Sequence, residues 1–155
     1  MRHIHRTIVS ALIFSKDDKL LMGRKDPTKG GVYPDCWHLP GGGVGDNESL
    51  EGTLIREINE EVGIDITPYS VIPIHYIDTG TSEKILKDTG EKVLCIMEFN
   101  RFKVFIDDKI ADDIKLKLND DLIEARWFSM DELPLLKHIP GGREFFQKLG
   151  YIPKK

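Results

Sequence analysis

The chain has 155 residues, 40% of them hydrophobic and 31% charged, which excludes a disordered polymer and predicts one domain, residues 1–155, with a substantial core. A formal net charge of −4 offers no broad attraction for a nucleic-acid polymer; if the ligand is a polyphosphate, it has to be held by metal and a few local cations. Cys36 and Cys95 lie far apart without CxxC spacing, which argues against zinc and for reduced cytosolic thiols, and no apolar run reaches membrane-spanning length.

Basic residues at the N-terminus followed by apolar residues 7–14 (TIVSALIF) faintly imitate a signal peptide. The run is short, no small-residue cleavage site follows and Lys16-Asp17-Asp18 comes next, so the reading is a buried first strand in a cytoplasmic protein. Residues 15–19 are turn chemistry, and residues 20–24 return as a second strand. Residues 25–35 carry two prolines and two glycines and read as an exposed loop. Residues 36–39 form a short strand entering Pro40 and three successive glycines, Gly41, Gly42 and Gly43. A helix is predicted over residues 49–62, with Asp46 or Asn47 as cap and Gly63 as its stop. Residues 71–77 and 93–105 are predicted strands, and the polar stretch 78–92 between them is a candidate substrate-side loop. Residues 107–121 read as another loop and 125–128 as a strand. Ser129-Met-Asp-Glu132 has a capping pattern for a short helix, and 142–149 is a terminal helix. The order β-β-β-α-β-β-β-α predicts an α+β fold, a mixed sheet with helices packed on it.

The helix over 49–62 has two faces. Leu54, Ile55, Ile58 and Val62 make an apolar stripe that packs on a sheet. Glu57, Glu60 and Glu61, at i, i+3 and i+4, share a neighbouring stripe. Three carboxylates side by side repel one another unless a cation sits among them. Oxygen-only ligands favour Mg²⁺ or Mn²⁺ over zinc and leave coordination positions for water and phosphate. Such a metal neutralises pyrophosphate charge and acidifies bound water, and a neighbouring carboxylate serves as base. The glycine run lets backbone approach a phosphate or offer a carbonyl to metal.

Gly42, Glu48, Arg56, Glu57, Ile58, Glu60, Glu61, Gly63 and Ile64 fall in the pattern Gly-x5-Glu-x7-Arg-Glu-apolar-x-Glu-Glu-x-Gly-apolar without a departure. This resembles the signature box of the Nudix hydrolases, and Trp37-His-Leu-Pro-Gly-Gly before it and Trp127-Phe-Ser-Met-Asp-Glu-Leu after it are similar to that family too. The resemblance implies a Nudix-type αβα sandwich, a mixed β-sheet with helices on both faces. It implies Glu57, Glu60 and Glu61 as metal ligands, with Glu57 or Glu61 doubling as catalytic base. It also implies Glu48 as support or further ligand, Arg56 as the residue that orients a glutamate, and a glycine carbonyl at Gly41 or Gly42 as metal contact. A late-loop acid joins such sites in many members, and the candidates here are Asp120, Asp121 and Glu124, with Asp121 and Glu124 preferred.

For the substrate, Gly42 and Gly43 offer backbone to a phosphate, Arg24 could hold one, and Tyr33 could contact a base. Trp37 reads as core, His38 as structural, and Glu98 as either outward-facing or pocket-lining. The expected reaction is hydrolysis of a phosphoanhydride in a nucleoside diphosphate linked to another moiety. A nucleoside triphosphate, split to monophosphate and pyrophosphate, is the first choice. A nucleotide-sugar or ADP-ribose-type pyrophosphatase is the alternative, and a nucleotide-sensing module without turnover is the alternative from another class. Oligomeric state is not legible, and a homodimer stands as the default for a small enzyme.

Overall fold

The structure, a computed structural model, describes residues 1–29, 33, 35–119 and 122–154. Its first half runs β1 (Arg2–Phe14), β2 (Leu20–Lys25), β3 (Trp37–His38), β4 (Gly41–Gly43) and α1 (Leu50–Val62). The second half runs β5 (Val71–Pro73), β6 (Asp78–Ile85), β7 (Lys92–Phe105), β8 (Leu122–Phe128) and α2 (Gly142–Lys148). Short 3-10 turns cover Pro27–Lys29, Ala111–Asp113 and Met130–Leu135.

Strand β1 is the spine. One edge pairs with β7 in parallel along its whole length, from Arg2 opposite Val93 to Phe14 opposite Phe105. The other edge is shared by β4, with Ile8 opposite Gly43 and Ser10 opposite Gly41, and by β2 at Phe14 and Leu20. Strand β2 extends the sheet to β3 and β8, and β7 extends it to β5 and β6, all antiparallel.

Alternation along β1 sends neighbouring side chains to opposite faces. Val9, Ala11 and Ile13 meet Leu54, Ile58 and Val62 of α1. Leu12 and Phe14 meet Phe145 and Phe146 of α2. The Val, Leu and Ile residues named here are fully buried, and each such side chain contributes about 1.5–3 kcal/mol, whereas Phe14 keeps 6% exposure. The sheet therefore carries a helix on each face, as an αβα sandwich requires. No helix among the described residues is long and apolar enough to cross a membrane.

Four expectations need correction. The N-cap of α1 is Ser49, whose hydroxyl accepts from the Gly52 amide at 3.0 Å; Asn47 instead takes a turn conformation with φ 65°. The strand predicted over 71–77 stops at Pro73, because Ile74 and Tyr76 turn away to pack against the α2 cluster. The polar stretch 78–92 is a loop only over residues 86–91. Residues Asp78–Ile85 form β6, registered against β7 from Asp78–Phe99 to Ile85–Lys92. The first strand also begins at Arg2, so the basic N-terminal residues belong to the sheet. Ser129 behaves as read, with the Ser129 amide donating to Glu132 Oε1 at 2.9 Å in a capping box that starts a 3-10 turn.

Candidate active site

Helix α1 ends on Gly63 in the left-handed region (φ 76°), where its amide donates to Asn59 O at 3.0 Å. Docking through Leu54, Ile58 and Val62 sets the orientation of the acids. Glu61 is carried inward and is 7% exposed, Glu57 is half-buried, and Glu60 points outward with its side chain 55% exposed.

Arg56 ties these acids to the loop before the helix. Its Nε and Nη2 donate to the two Glu48 oxygens, each at 2.8 Å, and its Nη1 donates to Glu57 Oε1 at 3.0 Å and Glu60 Oε2 at 3.1 Å. Glu48 also accepts from the Gly45 amide at 2.8 Å, so the chain turn, the helix and one guanidinium are locked together. These bonds, Arg56 first and Gly45 second, pull the Glu48 carboxyl down to about 2. Glu57 shifts the other way: burial raises its pKa, and the Arg56 charge only partly offsets it.

Strand β4 separates two environments. Its glycines are required by close approach: a Cβ on Gly41 would overlap the Val9 carbonyl, and one on Gly42 would overlap the Glu57 carboxylate. A Cβ on Gly43 would overlap the Arg6 guanidinium. Successive residues of an extended strand face opposite ways, so an acid lies against one face of β4 and an arginine against the other.

The arginine face opens into a cavity of about 170 Å³ whose lining includes Arg6, Lys25, Tyr33, Trp37, Phe99, Arg101 and the three glycines. Aromatic and apolar walls with a few polar groups suit a nucleoside-sized ligand. Tyr33, with φ 54°, donates its hydroxyl to Thr81 O at 2.7 Å and so joins the loop after β2 to β6. Gly80 leaves room for that hydroxyl and the Phe99 ring. Arg101 is 4% exposed, pairs with Asp78, and stacks its guanidinium 3.9 Å from the Phe145 ring centroid. His38 places Nδ1 3.0 Å from Leu39 O while its Nε2 is enclosed, and burial lowers its pKa to about 4, so the ring is neutral at pH 7.

Of the residues singled out from the sequence, Tyr33, Gly41, Gly42 and Gly43 meet in this cavity, and Glu48, Arg56, Glu57 and Glu60 form one bonded group beside it. Arg24 and Glu124 do neither. They pair with each other across β2 and β8 at 3.1 Å; Arg24 also bonds Asp35, and Glu124 also bonds Arg126. Asp121, with Asp120, lies outside the described residues. Glu98 is on the exposed side of β7, within 3.4 Å of Asn100 Nδ2, and does not line the cavity. The sequence reading missed Arg6, Phe99 and Arg101. The one signal for Arg101 was a basic residue inside the apolar run of β7.

Among the described residues no three His, Cys, Asp or Glu side chains are grouped as a metal site. The acids on this side of α1 nevertheless offer only carboxylate oxygens, Glu61 buried and Glu57 half-buried against Gly42, and burial penalises the charge on Glu57 more than Arg56 relieves it. That donor chemistry fits a hard divalent cation.

Residues 4–149 match the family described as the NUDIX domain, and the chain belongs to that family. It is similar to the nucleoside triphosphatase NudI of Escherichia coli (strain SE11), 29% identical over 128 residues that span 83% of this chain and 84% of that protein. It is also similar to the ADP-ribose pyrophosphatase of Methanocaldococcus jannaschii, 30% identical over 134 residues, 86% of this chain and 68% of that one. Among solved structures, the MutT protein of Methanosarcina mazei Go1 superposes with a TM-score of 0.64 at 26% identity, covering 100% of this chain and 99% of its own. The protein is thus an enzyme, a Nudix hydrolase.

Proposed function

We propose that this hydrolase cleaves a nucleoside triphosphate to the monophosphate and pyrophosphate, with Mg²⁺ or Mn²⁺ held by Glu57, Glu60 and Glu61, supported by Glu48, and with the Gly41 carbonyl and an acid of the 120–124 segment as further ligands. The observation that carries this reading is the arrangement around β4, a nucleoside-sized cavity on one face and a bonded carboxylate group on the other. The name of the Escherichia coli relative, a nucleoside triphosphatase, supports the same substrate class.

The cation, when bound, supplies charge neutralisation for the polyphosphate and acidifies a coordinated water. The chain's own residues do the rest. The cavity orients the nucleoside so that the phosphates pass the rim of Gly42 and Gly43. Water attacks phosphorus, its proton passes to a carboxylate, the P–O bond breaks, and pyrophosphate leaves. Glu57 and Glu61 are the candidate bases. Glu57 has Oε1 engaged by Arg56, which orients the group, and Oε2 is the atom that would take the proton. A base with a pKa raised by burial suits this task.

A second reading is favoured by the Methanocaldococcus jannaschii relative, whose name is ADP-ribose pyrophosphatase. The two readings share the bond type and differ in the leaving group. A panel of nucleoside triphosphates, ADP-ribose, nucleotide sugars and dinucleoside polyphosphates, ranked by kcat/KM, separates them. The reading predicts that a triphosphate leads and that a chelator abolishes turnover; ADP-ribose leading would replace it with the second reading. The free, buried thiols of Cys36 and Cys95 are compatible with a cytoplasmic setting.

A further inference from the structure

Arg6 is unusual among the arginines of this protein. Arg24 is held by Asp35 and Glu124, Arg56 by three glutamates, and Arg101 by Asp78. Arg6 is half-buried, yet it has no carboxylate or other hydrogen-bond partner among the described residues. A half-buried guanidinium has lost part of its hydration, and its five donors then need acceptors.

Its position is set by the sheet. The parallel register puts Arg6 beside Met97 of β7, on the same face of β1 as Ile4 and Ile8, which pack with Cys95, Met97 and Phe99. From there the side chain reaches over Gly43, into the space where a Cβ would sit, and lines the nucleoside-sized cavity. The missing side chain at Gly43 is therefore what lets the guanidinium lie against the backbone at the cavity rim. A packing role for the stem needs neither the bare glycine nor the unpartnered head group.

We propose that Arg6 is a substrate-binding residue that grips the phosphate retained on the nucleoside, so that the departing phosphates extend past Gly42 toward Glu57. This rests on the cavity being a nucleotide site. A planar fork bonding two phosphate oxygens suits that duty better than a point charge. Lys25, the other cavity-lining cation without a carboxylate partner among the described residues, serves as the comparison.

The test uses calorimetric binding, with a chelator present, of the four nucleoside 5′-monophosphates and the four corresponding nucleosides. Arg6→Ala is expected to weaken monophosphate binding about tenfold to a hundredfold while leaving nucleoside binding and thermal midpoint unchanged. Arg6→Lys should recover only part of the loss. Gly43→Ala, which displaces the guanidinium without removing it, should reproduce the selective loss in a chain that keeps its charge. In turnover, the Arg6→Ala change should appear mainly in KM. If wild type binds the monophosphates and Arg6→Ala binds them equally well, the assignment is overturned and the nucleotide reading stands. The assignment is overturned in the same way if Lys25→Ala alone weakens binding. If wild type binds neither monophosphates nor nucleosides, the nucleotide reading is wrong and the assignment goes with it.

Discussion

The two faces of β4 are built by different means. On the acid face, Glu48, Arg56, Glu57 and Glu60 lie within thirteen residues of one another and are joined by side-chain bonds of 2.8–3.1 Å. On the cavity face, Arg6, Tyr33, the β7 pair Phe99 and Arg101, and Phe145 come from four distant stretches that only the β1–β7–β6 pairing and the docking of α2 bring together. A motif can encode the first kind of site, because helical spacing places its residues. The second kind depends on register across the whole sheet, and so it is free to vary with substrate while the chemistry stays in place.

That contrast yields predictions of decreasing size. Arg101→Met removes the buried partner of Asp78 and the cation stacked on Phe145, so it should cost about 3–5 kcal/mol in urea unfolding, as breaking a buried pair does. An unchanged midpoint would mean the cavity wall is not held by that pair. Gly42→Ala forces the Glu57 carboxylate off β4 and should lower kcat about a hundredfold with nucleotide affinity retained, since small misplacements of a reacting group are costly. An equal loss in affinity would show that the two faces are not separable.

His38 gives a smaller effect with a definite sign. Its pKa is about 4 in the folded protein against 6.5 for the free side chain, so folding disfavours its proton. The contribution is fully present above pH 6.5 and is lost as the pH falls from 6.5 to 4, because the unfolded chain takes up the proton first. Stability should drop by about 2 kcal/mol between about pH 7 and pH 5, and His38→Asn should flatten that stretch of the curve. Smallest of all, Tyr33→Phe deletes one hydrogen bond to Thr81 O and should raise KM only a few-fold, about 1 kcal/mol, with kcat intact.

The same contrast explains what could be read beforehand. Helix α1, its Gly63 stop and the Ser129 capping box were legible, because each is settled by residues a few positions apart. Strand β6 was not. Its sequence DTGTSEKI looks like a loop, and it becomes a strand only because β7 offers a long partner edge. Arg6 sits in a basic stretch that resembled a leader, and only the parallel pairing with β7 places it at a cavity. Arg24 and Glu124 show the same dependence from the other side: their ion pair exists only because β2 and β8 are neighbours, which neither local sequence announces.

The most direct test of the division between binding and chemistry is pyrophosphate release by Glu57→Gln, measured with Mg²⁺ beside nucleotide affinity in the same preparation. Release should fall by about two to four orders of magnitude, the contribution of a general base, while the Kd for the monophosphate stays at the wild-type value. Release at the wild-type rate would contradict the assignment of chemistry to the acid face of β4.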